Sequence, residues 1–338
     1  TMNKHLNLVN GTKLTLDELA APDPKNTPYV ITLLREKLLN PEDVPEELLS
    51  LKDPRGGTSV LNMCIERFKE PISDDHGQIV PRALFLASKP GCKLPLHFRC
   101  IKEILSIARE DGWTVAHEMA SSGYIPKRMM TKSILKLTDA SGCAVAYHAA
   151  RWKHFPKWAT KRKDILLLGD GRGDYVAHEL TRWGKLPSEM MTEEILKLKN
   201  KDGCTVAYSL AKINLLPDWL GRNKNILLLG DGKGSYVAHA LAWKGKLPSE
   251  MMTEDILKLK DASGCTVAYY AVWYKSFPEW AKRNKDILLL DDGQGNYVAH
   301  VLAQRGDLPI EMMTEDILEL QDQNGCTLAY YVAWHAFF

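Results

Sequence analysis

Four histidines stand at one regular spacing and have the side-chain chemistry of metal ligands or proton relays. His117, His178, His239 and His300 lie 61 residues apart, and a Val-Ala pair precedes each of them. Imidazole is the commonest metal ligand in proteins and titrates near neutral pH. If packed helices repeat along the chain, this spacing separates equivalent rings too widely for them to share an ion. We therefore predict that the chain has no metal site and needs no cofactor.

A second group of residues has the chemistry of a zinc site. Cys64, Cys92, His97 and Cys100 are close in sequence, and Cys64 could also serve as a nucleophile with His97 or His76 as its base. The spacing matches none of the usual paired-cysteine patterns, and Cys64 and Cys100 fall on apolar helical segments. We interpret them as core thiols and predict no catalytic residue.

Three glycine-rich loops invite comparison with phosphate-binding or calcium-binding loops. They read GDGRGDY from Gly169, GDGKGSY from Gly230 and DDGQGNY from Asp291. A phosphate loop needs a Lys-Ser/Thr pair at a fixed offset, and a calcium loop needs oxygen ligands at alternate positions ending in Glu. Neither pattern occurs, so we predict that these glycines allow the chain to turn between structural elements.

The composition predicts a folded chain with no strong overall field. The 338 residues include 45% hydrophobic and 25% charged residues, and 44 Lys and Arg against 42 Asp and Glu leave a net charge of +2. This balance does not favour general attraction to nucleic acid or anionic lipid. Without a long apolar span or a signal-type N-terminus, we expect a cytoplasmic protein, in the host cytoplasm if the chain is a secreted effector.

Internal repeats dominate the chain. Segments such as KGSYVAHALA, from Lys233, recur every 61 residues, and a second series such as SGCTVAYYAV, from Ser263, lies halfway between them. The repeat is therefore half of 61, alternating between 30 and 31 residues, and each copy has the apolar periodicity of a helix pair. We predict an all-α fold: an α-solenoid of alternating 30- and 31-residue helix-turn-helix repeats.

The predicted helices follow from apolar stripes. The first helix of a repeat has its stripe at Val115, Ala116, Met119 and Ala120. The second helix is predicted to carry Met190, Met191, Ile195 and Leu198 on one face. Glycines such as Gly184 end the first helix, and a Leu-Pro pair then starts the second segment.

The predicted organisation has three parts. Residues 1–47 form an N-terminal helical cap, in which Thr15 and Glu18 make a capping box. Residues 48–110 are a degenerate repeat with an insertion at about 71–92, rich in turn-forming residues. Residues 111–338 contain seven full repeats and a C-terminal half repeat, whose Phe337 and Phe338 we expect to fold back as a buried cap over Val332 and Ala333.

The repeats resemble ankyrin repeats. Thr114 to His117, with Asp111-Gly112 before them and Ala120 and Gly123 after them, is similar to the family motif D-x-x-G-x-T-P-L-H-x-A-x-x-G. Alternate repeats carry tyrosine in place of the histidine. The resemblance covers about residues 48–338 and implies a curved stack that binds macromolecules, usually proteins, with its inner helices. It also implies that the histidines join adjacent repeats by hydrogen bonds.

Charge alternates with the type of repeat. The predicted second helix is preceded in one series by Lys161, Arg162 and Lys163, and by Lys282, Arg283 and Lys285. In the other series it is preceded by Glu193 and Glu194, and by Glu254 and Asp255. Since neighbouring repeats then bring opposite charges together, we predict ion pairs between repeats. A nucleic-acid track would need the same sign in every repeat.

Aromatic residues on the polar side of the first helix are the strongest functional signal. We count positions from the glycine that precedes each first helix, such as Gly234 or Gly264; aromatic residues occur at positions six, nine and ten. The predicted partner-binding residues are Trp152, Trp183, Trp243, Tyr270, Trp273, Tyr274, Tyr331 and Trp334. Their composition, with Arg151, Arg182, Lys244 and Lys275 beside them, is typical of interface hot spots. The alternative is that these rings lean over and cover the turn to the next helix.

The sequence thus favours a non-enzymatic scaffold, inhibitor or effector that binds a protein partner with its inner helix face. A nucleic-acid-binding solenoid using the aromatic and basic residues is one alternative, and an enzyme with a site in the N-terminal insertion is another. We further expect one apolar strip, formed at positions six and nine of the last first helices. It comprises Ala240 with Trp243, Tyr270 with Trp273, Val301 with Gln304, and Tyr331 with Trp334.

Overall fold

The computed structural model describes residues 5–337, with side chains to 335. The chain forms two compact halves, an N-terminal half that ends at Gly171 and a C-terminal half that begins at Arg172. Within residues 5–337 no helix is long and apolar enough to span a membrane.

The N-terminal half contains two hairpins and ten α-helices in its described residues. Its elements are β1 His5–Asn7, β2 Lys13–Thr15, α1 Leu16–Ala20, α2 Tyr29–Arg35, α3 Val60–Lys69, β3 Pro71–Ser73, β4 Ile79–Pro81, α4 Arg82–Ser88, α5 Lys102–Leu105, α6 Val115–Ser121, α7 Lys132–Leu135, α8 Val145–Ala149, α9 Lys157–Thr160 and α10 Lys163–Leu166. Short 3-10 helices occupy Pro41–Asp43, Glu46–Leu48, Phe98–Cys100 and Lys127–Met129.

The C-terminal half is helical throughout its described part. Its α-helices are α11 Val176–Arg182, α12 Glu193–Leu196, α13 Val206–Lys212, α14 Lys224–Leu227, α15 Val237–Trp243, α16 Glu254–Leu257, α17 Val267–Ala271, α18 Glu279–Lys282, α19 Lys285–Leu288, α20 Val298–Gln304, α21 Glu315–Leu318 and α22 Leu328–Phe337. Its 3-10 helices are Ser188–Met190, Leu220–Arg222, Ser249–Met251 and Ile310–Met312.

The first helices of the repeats form where they are predicted. In the C-terminal half α11 packs on α13, α13 on α15, α15 on α17, and α20 on α22. Many of their valine and alanine residues, such as Val237 and Ala238, are fully buried. Small alanine side chains let neighbouring helices approach closely, so most of each helix except α22 is covered by its neighbours. The core of the half therefore runs along this row of helices.

The predicted second helix is wrong as a single element. It divides into a 3-10 helix, Ser188–Met190 in one repeat, and a four-residue α-helix, α12. Met191 separates them with a ψ of 54°, and Thr192 then caps α12 by accepting a hydrogen bond from the Ile195 N–H. Ile195 and Leu196 are buried. Burial of this Ile-Leu pair and of Met191, rather than one continuous helical face running from Met190 to Leu198, therefore holds the segment in place.

The N-terminal third confirms the predicted capping box. Thr15 caps α1, and its side chain accepts from the Glu18 N–H while the Glu18 carboxylate accepts from the Thr15 N–H at 2.7 Å. The segment predicted as an insertion at 71–92 forms the β3–β4 hairpin and α4, and α4 packs against α6 of the repeats. Helix α4 therefore takes the place of a first helix in the row of packed helices.

A turn of the repeat type also occurs inside the predicted N-terminal cap. The Asp23 carboxylate accepts from the Lys25 and Thr27 N–H groups at 2.8 and 3.0 Å, and a β-bridge pairs Pro22 with Pro28. Asp139 accepts in the same way from the N–H groups two and four residues later. The predicted domain boundaries at 47 and 110 stay a prediction.

Candidate functional site

The repeated histidines form the internal frame beneath the candidate surface. Nε2 of His239 donates to the Leu259 carbonyl at 3.1 Å, and its Nδ1 accepts from the Tyr236 N–H at 3.1 Å. Equivalent pairs of bonds are made by His117, His178 and His300. Each imidazole therefore joins the start of its own helix to a backbone carbonyl further along the chain. The predicted contact with neighbouring backbone is confirmed.

These imidazoles are neutral near neutral pH. Burial is the main cause that lowers the pKa of each ring, and nearby carbonyls and carboxylates offset only part of the effect. The four histidines with lowered pKa are His117, His178, His239 and His300. A neutral ring can donate from Nε2 and accept at Nδ1 at the same time, which is the pattern that these bonds require.

In two repeats the aromatic residue at position ten, just beyond the end of the first helix, packs against the preceding repeat. The Trp152 indole N–H donates to the Ala120 carbonyl at 2.7 Å, and its ring lies where a Cβ at Gly123 would be, 2.8 Å from the nearest ring atom. The Tyr274 hydroxyl donates to the Trp243 carbonyl at 2.6 Å, and its ring covers Gly245 similarly. For Trp152 and Tyr274 the structure therefore shows the packing alternative, in which the ring covers the turn of the preceding repeat.

Position nine has the opposite character. The side chain of Trp243 is 66% exposed, although its ring meets the Tyr270 ring edge to face with centroids 5.4 Å apart. Trp273 and Trp334 are also exposed, and Trp273 lies edge-on to Tyr269. Trp183, which stands at position ten of its own repeat, is exposed as well. Large exposed indoles held by a neighbouring ring are typical of a binding surface.

Position six holds half-buried tyrosines. The Tyr270 hydroxyl donates to the Asp261 carboxylate at 2.8 Å, and the Tyr331 hydroxyl donates to Asp322 at 2.6 Å. Burial, followed by contacts with the Cys265 thiol and Asp261, raises the pKa of Tyr270. Bonding to Asp322, together with burial, raises the pKa of Tyr331 to about 12. Both hydroxyls therefore keep their protons and act as fixed donors.

Trp243 and Tyr270 line a groove along α13, α15 and α17. We define the aromatic groove by Tyr208, Lys212, Trp243, Lys244 and Tyr270; its volume is about 440 Å³. Ser235, His239, Ala240 and Asp261 complete its lining. The groove is open, and its lining combines the aromatic rings with one lysine at the end of α13 and another just after α15. It is large enough to receive more than one side chain of a ligand.

The predicted continuous strip resolves into separate clusters of ring contacts. One cluster joins Trp243, Tyr270 and His239, a pair joins Tyr269 with Trp273, and another cluster joins His300, Tyr330, Tyr331 and Trp334. Polar Gln304 occupies position nine on α20, between Trp273 and Trp334 in sequence. Val301, which was expected to contribute to the exposed strip, is buried. Its side chain is short and packs between helices, so it adds core rather than surface.

Sequence reasoning missed several of the residues involved. Tyr208 and Lys212 reach the groove from the preceding first helix, and no aromatic pattern within a single repeat indicates them. It also missed a second series of exposed tryptophans, each two residues after a proline. These are Trp158, Trp219 and Trp280. Their spacing of 61 residues was a signal that could have found them.

The predicted ion pairs between repeats are present in both halves. Arg222 pairs with Glu250 at 2.8 Å, and Arg283 pairs with Glu311 at 2.7 Å. Lys224 pairs with Asp255 and Lys285 with Asp316. In the N-terminal half the Asp164 carboxylate pairs with the ammonium groups of Lys132 and Lys136, with N···O distances of 3.0 and 2.8 Å. The basic residues of these turns are therefore neutralised locally.

The other sequence candidates have structural roles. Cys64 is fully buried, and burial raises the pKa of its thiol to about 12, so its thiolate is strongly disfavoured. Among residues 5–337, no three or more His, Cys, Asp and Glu side chains converge in a group able to hold a metal ion. Gly232 has a φ of 77°, and a Cβ there would lie 2.5 Å from the Asp202 carbonyl oxygen. The prediction that this glycine allows a turn is confirmed.

The comparisons with known proteins return structural likenesses alone. No family model matches the chain, and no curated protein matches it. One similar solved structure is a predatory endopeptidase from Bdellovibrio bacteriovorus in complex with an immunity protein, with 15% identity, a TM-score of 0.33 and coverage of 48% of this chain and 91% of that chain. Another is the ankyrin repeat domain of Bcl-3, a member of the IkappaB protein family, with 13% identity, a TM-score of 0.30 and coverage of 66% of this chain and 95% of that chain.

Proposed function

We propose that this chain is a non-enzymatic, protein-binding repeat scaffold or inhibitor whose aromatic groove holds a segment of a protein partner. The observation that carries the proposal is the placement of Trp243, an indole 66% exposed at the edge of a groove and braced by Tyr270. Tryptophan and tyrosine are the residues most often found as hot spots in protein interfaces. The remaining exposed aromatic residues then extend the contact beyond the groove.

The groove is built to bind without rearrangement. The Trp243 carbonyl is held by the Tyr274 hydroxyl, and the Tyr270 ring is fixed by its bond to Asp261. Asp261 is itself fixed, since it accepts from the N–H groups of Ser263 and Cys265 at 2.8 and 3.0 Å. A wall fixed in this way loses little conformational entropy on binding, and preorganisation of this kind raises affinity.

Charge distribution favours a protein partner over nucleic acid. A single-stranded nucleic acid needs a basic track that follows its backbone for several nucleotides. In the C-terminal half the turn residues Arg222 and Arg283 pair with glutamates instead. The lysines of the aromatic groove form a local patch, which suits one charged group of a peptide.

The proposed site of action is the cytoplasm, which for a secreted effector is the cytoplasm of the host. Within residues 5–337 no disulfide pairs any of the seven cysteines. Several of these thiols, including Cys64 and Cys265, are buried in the core. Reduced core thiols are usual in cytosolic proteins, whereas secreted domains of this cysteine content often contain disulfides.

The test combines binding and stability. The Trp243→Ala, Trp273→Ala double variant should capture less of a partner that the wild-type chain retains from cell lysate. Its affinity for that partner, once purified, should be at least ~30-fold weaker, since a hot-spot tryptophan contributes ~2 kcal/mol or more. Its melting temperature should stay close to that of the wild type, because both indoles are exposed. Gln304→Ala, at position nine of α20, is the matched control and should bind as the wild type does.

Two results would contradict the proposal. The first is a sharp fall in melting temperature with unchanged binding per folded molecule, which would make the indoles packing residues. The second is binding that collapses steeply with salt and follows nucleic acid rather than protein in the captured fraction.

A further inference from the structure

The two lysines of the aromatic groove lie next to each other. Lys212 is the last residue of α13 and is exposed, and Lys244 follows α15. The Lys244 ammonium donates to the Lys212 carbonyl. An ammonium group has three N–H donors, so this bond leaves two of them for other acceptors. Lys244 is thereby fixed beside the end of α13, where Lys212 also lines the groove.

The carboxylate in the groove lining is held by other donors and forms no described ion pair with these lysines. Asp261 is the one carboxylate in the lining, and it accepts from the Tyr270 hydroxyl and from the N–H groups of Ser263 and Cys265. Burial lowers the pKa of His239, so that ring is neutral and adds no charge of its own. A groove with an apolar wall and two ammonium groups against one carboxylate is complementary to an apolar group next to an anion.

We infer that the occupant of the aromatic groove is a peptide segment in which a large apolar side chain lies next to a carboxylate. The apolar side chain packs against Trp243 and Tyr270, and the carboxylate faces Lys212 and Lys244. This inference rests on the proposed function and specifies the chemistry of the partner segment. The groove volume of about 440 Å³ fits a short segment of this kind.

The equivalent position on α20 indicates that the preference is local. Gln304 there replaces Trp243, and it offsets a small part of the rise in the pKa of Tyr331. Arg305 takes the place of Lys244 and donates to the Val272 carbonyl. With an amide instead of the indole wall, this position lacks the surface on which a large apolar side chain could pack. We therefore expect one preferred site for such a segment in the C-terminal half.

The experiment uses the full chain and a displayed library of random 12-residue peptides. Selection should enrich peptides that carry Asp or Glu beside Leu, Phe or Trp. An enriched peptide is then synthesised together with its counterpart, in which Gln or Asn replaces the acid. The counterpart should bind about tenfold more weakly to the wild-type chain, which corresponds to the loss of one charge-assisted contact.

Variants of the chain then test the apolar part and the charged part of the contact separately. Trp243→Gln should weaken the binding of both peptides. Lys212→Gln should weaken the binding of the acidic peptide and reduce the difference in affinity between the two peptides. Gln304→Ala is the matched control and should leave both affinities unchanged. Because Lys212 and Trp243 are exposed, these variants should fold, and melting temperature checks that they do.

The outcomes separate this inference from the proposed function. If peptides bind in a Trp243-dependent way but tolerate loss of the acid and Lys212→Gln, the acidic preference is wrong and the protein-binding function stands. If no peptide is enriched, or if binding ignores Trp243, both are wrong. A twelve-nucleotide oligo(dT) is tested in parallel. Tight, Trp243-dependent and steeply salt-dependent binding of that strand would overturn the peptide in favour of nucleic acid.

Discussion

The α15–α17 pair and the α20–α22 pair are built on the same frame but present different surfaces. His239 and His300 make the same two backbone hydrogen bonds. Tyr270 and Tyr331 donate to equivalent aspartates, which stand nine residues before each tyrosine. The pairs differ at position nine, which is Trp243 on α15 and Gln304 on α20.

This difference separates residues that hold the repeats together from residues that are free to serve binding. The shared residues are buried or half-buried, and each one satisfies polar groups of the backbone or of a neighbouring side chain. Position nine points to solvent, so its residue can change without breaking the frame. We therefore expect that changes to the frame residues lower the stability of both helix pairs. Of the two pairs, only the one with α15 should lose binding when position nine is changed.

The largest effect is expected from removing a frame histidine. His239→Ala and His300→Ala should each lower the free energy of unfolding by about 3 kcal/mol, because a buried carbonyl and a buried N–H lose their partner and a cavity remains. Urea unfolding followed by circular dichroism measures both. His76→Ala, in the exposed β3–β4 turn, is the control. A loss of stability in one of the two histidine variants and none in the other would refute the common frame.

The next effect is a dependence of stability on pH. Burial lowers the pKa of His239 and His300 in the folded chain, as it does for the other frame histidines. In the unfolded chain histidine has a pKa of about 6.5, so below that pH the unfolded state binds protons that the folded state does not. Stability should therefore be complete above about pH 6.5 and fall as the pH decreases, by at most about 1.4 kcal/mol per pH unit for each ring.

Unfolding in urea at several pH values between about 5 and 7.5 tests this dependence. His239→Gln and His300→Gln should each reduce the slope by a similar amount. A stability that is flat over this range would show that the folded chain accepts these protons.

A smaller effect is expected at position six. Tyr270→Phe should cost about 1.5 kcal/mol and Tyr331→Phe about 1 kcal/mol, because each loses one hydrogen bond to a carboxylate and burial contributes more at Tyr270. Thermal unfolding measures both. Tyr330→Phe is the control, since Tyr330 is exposed and its observed contacts are ring contacts. A larger cost at Tyr330 than at Tyr270 would contradict the assignment of these hydroxyls to the frame.

The smallest effect on stability is expected at position nine. Trp243→Gln gives α15 the residue of α20, and Gln304→Trp makes the reverse change. Each should alter the free energy of unfolding by less than about 1 kcal/mol, the range of an exposed position with a single edge-to-face ring contact. Calorimetry of both variants provides the measurement. A loss of several kcal/mol for Trp243→Gln would place the indole in the core and remove the distinction between frame and surface.

The sequence by itself determined the repeat, the positions of the first helices and the roles of the recurring residues. The spacing of His239 and its equivalents, the Thr15–Glu18 capping box and the alternating charges around Arg283 and Glu254 depend on local order and periodicity. These signals lie within one or two repeats of the chain. For this reason the first helices and the ion pairs between repeats were predicted correctly. The resemblance to ankyrin repeats implied the histidine bonds to backbone, whereas the second helix was wrong as a single element.

Only the tertiary structure decided which aromatic residues are surface and which are packing. Positions nine and ten are adjacent at or just beyond the end of a first helix, since α15 ends at Trp243 and α17 ends at Ala271, and either could face solvent. The neighbouring repeat makes the distinction: Gly245 leaves space for the Tyr274 ring, whereas Trp243 has no such recess and stays exposed. Lys212 lines the groove from the neighbouring helix α13, and the packing of α13 against α15 brings it there. A surface assembled from separate repeats depends on how closely their helices approach, and a pattern read along one repeat does not contain that distance.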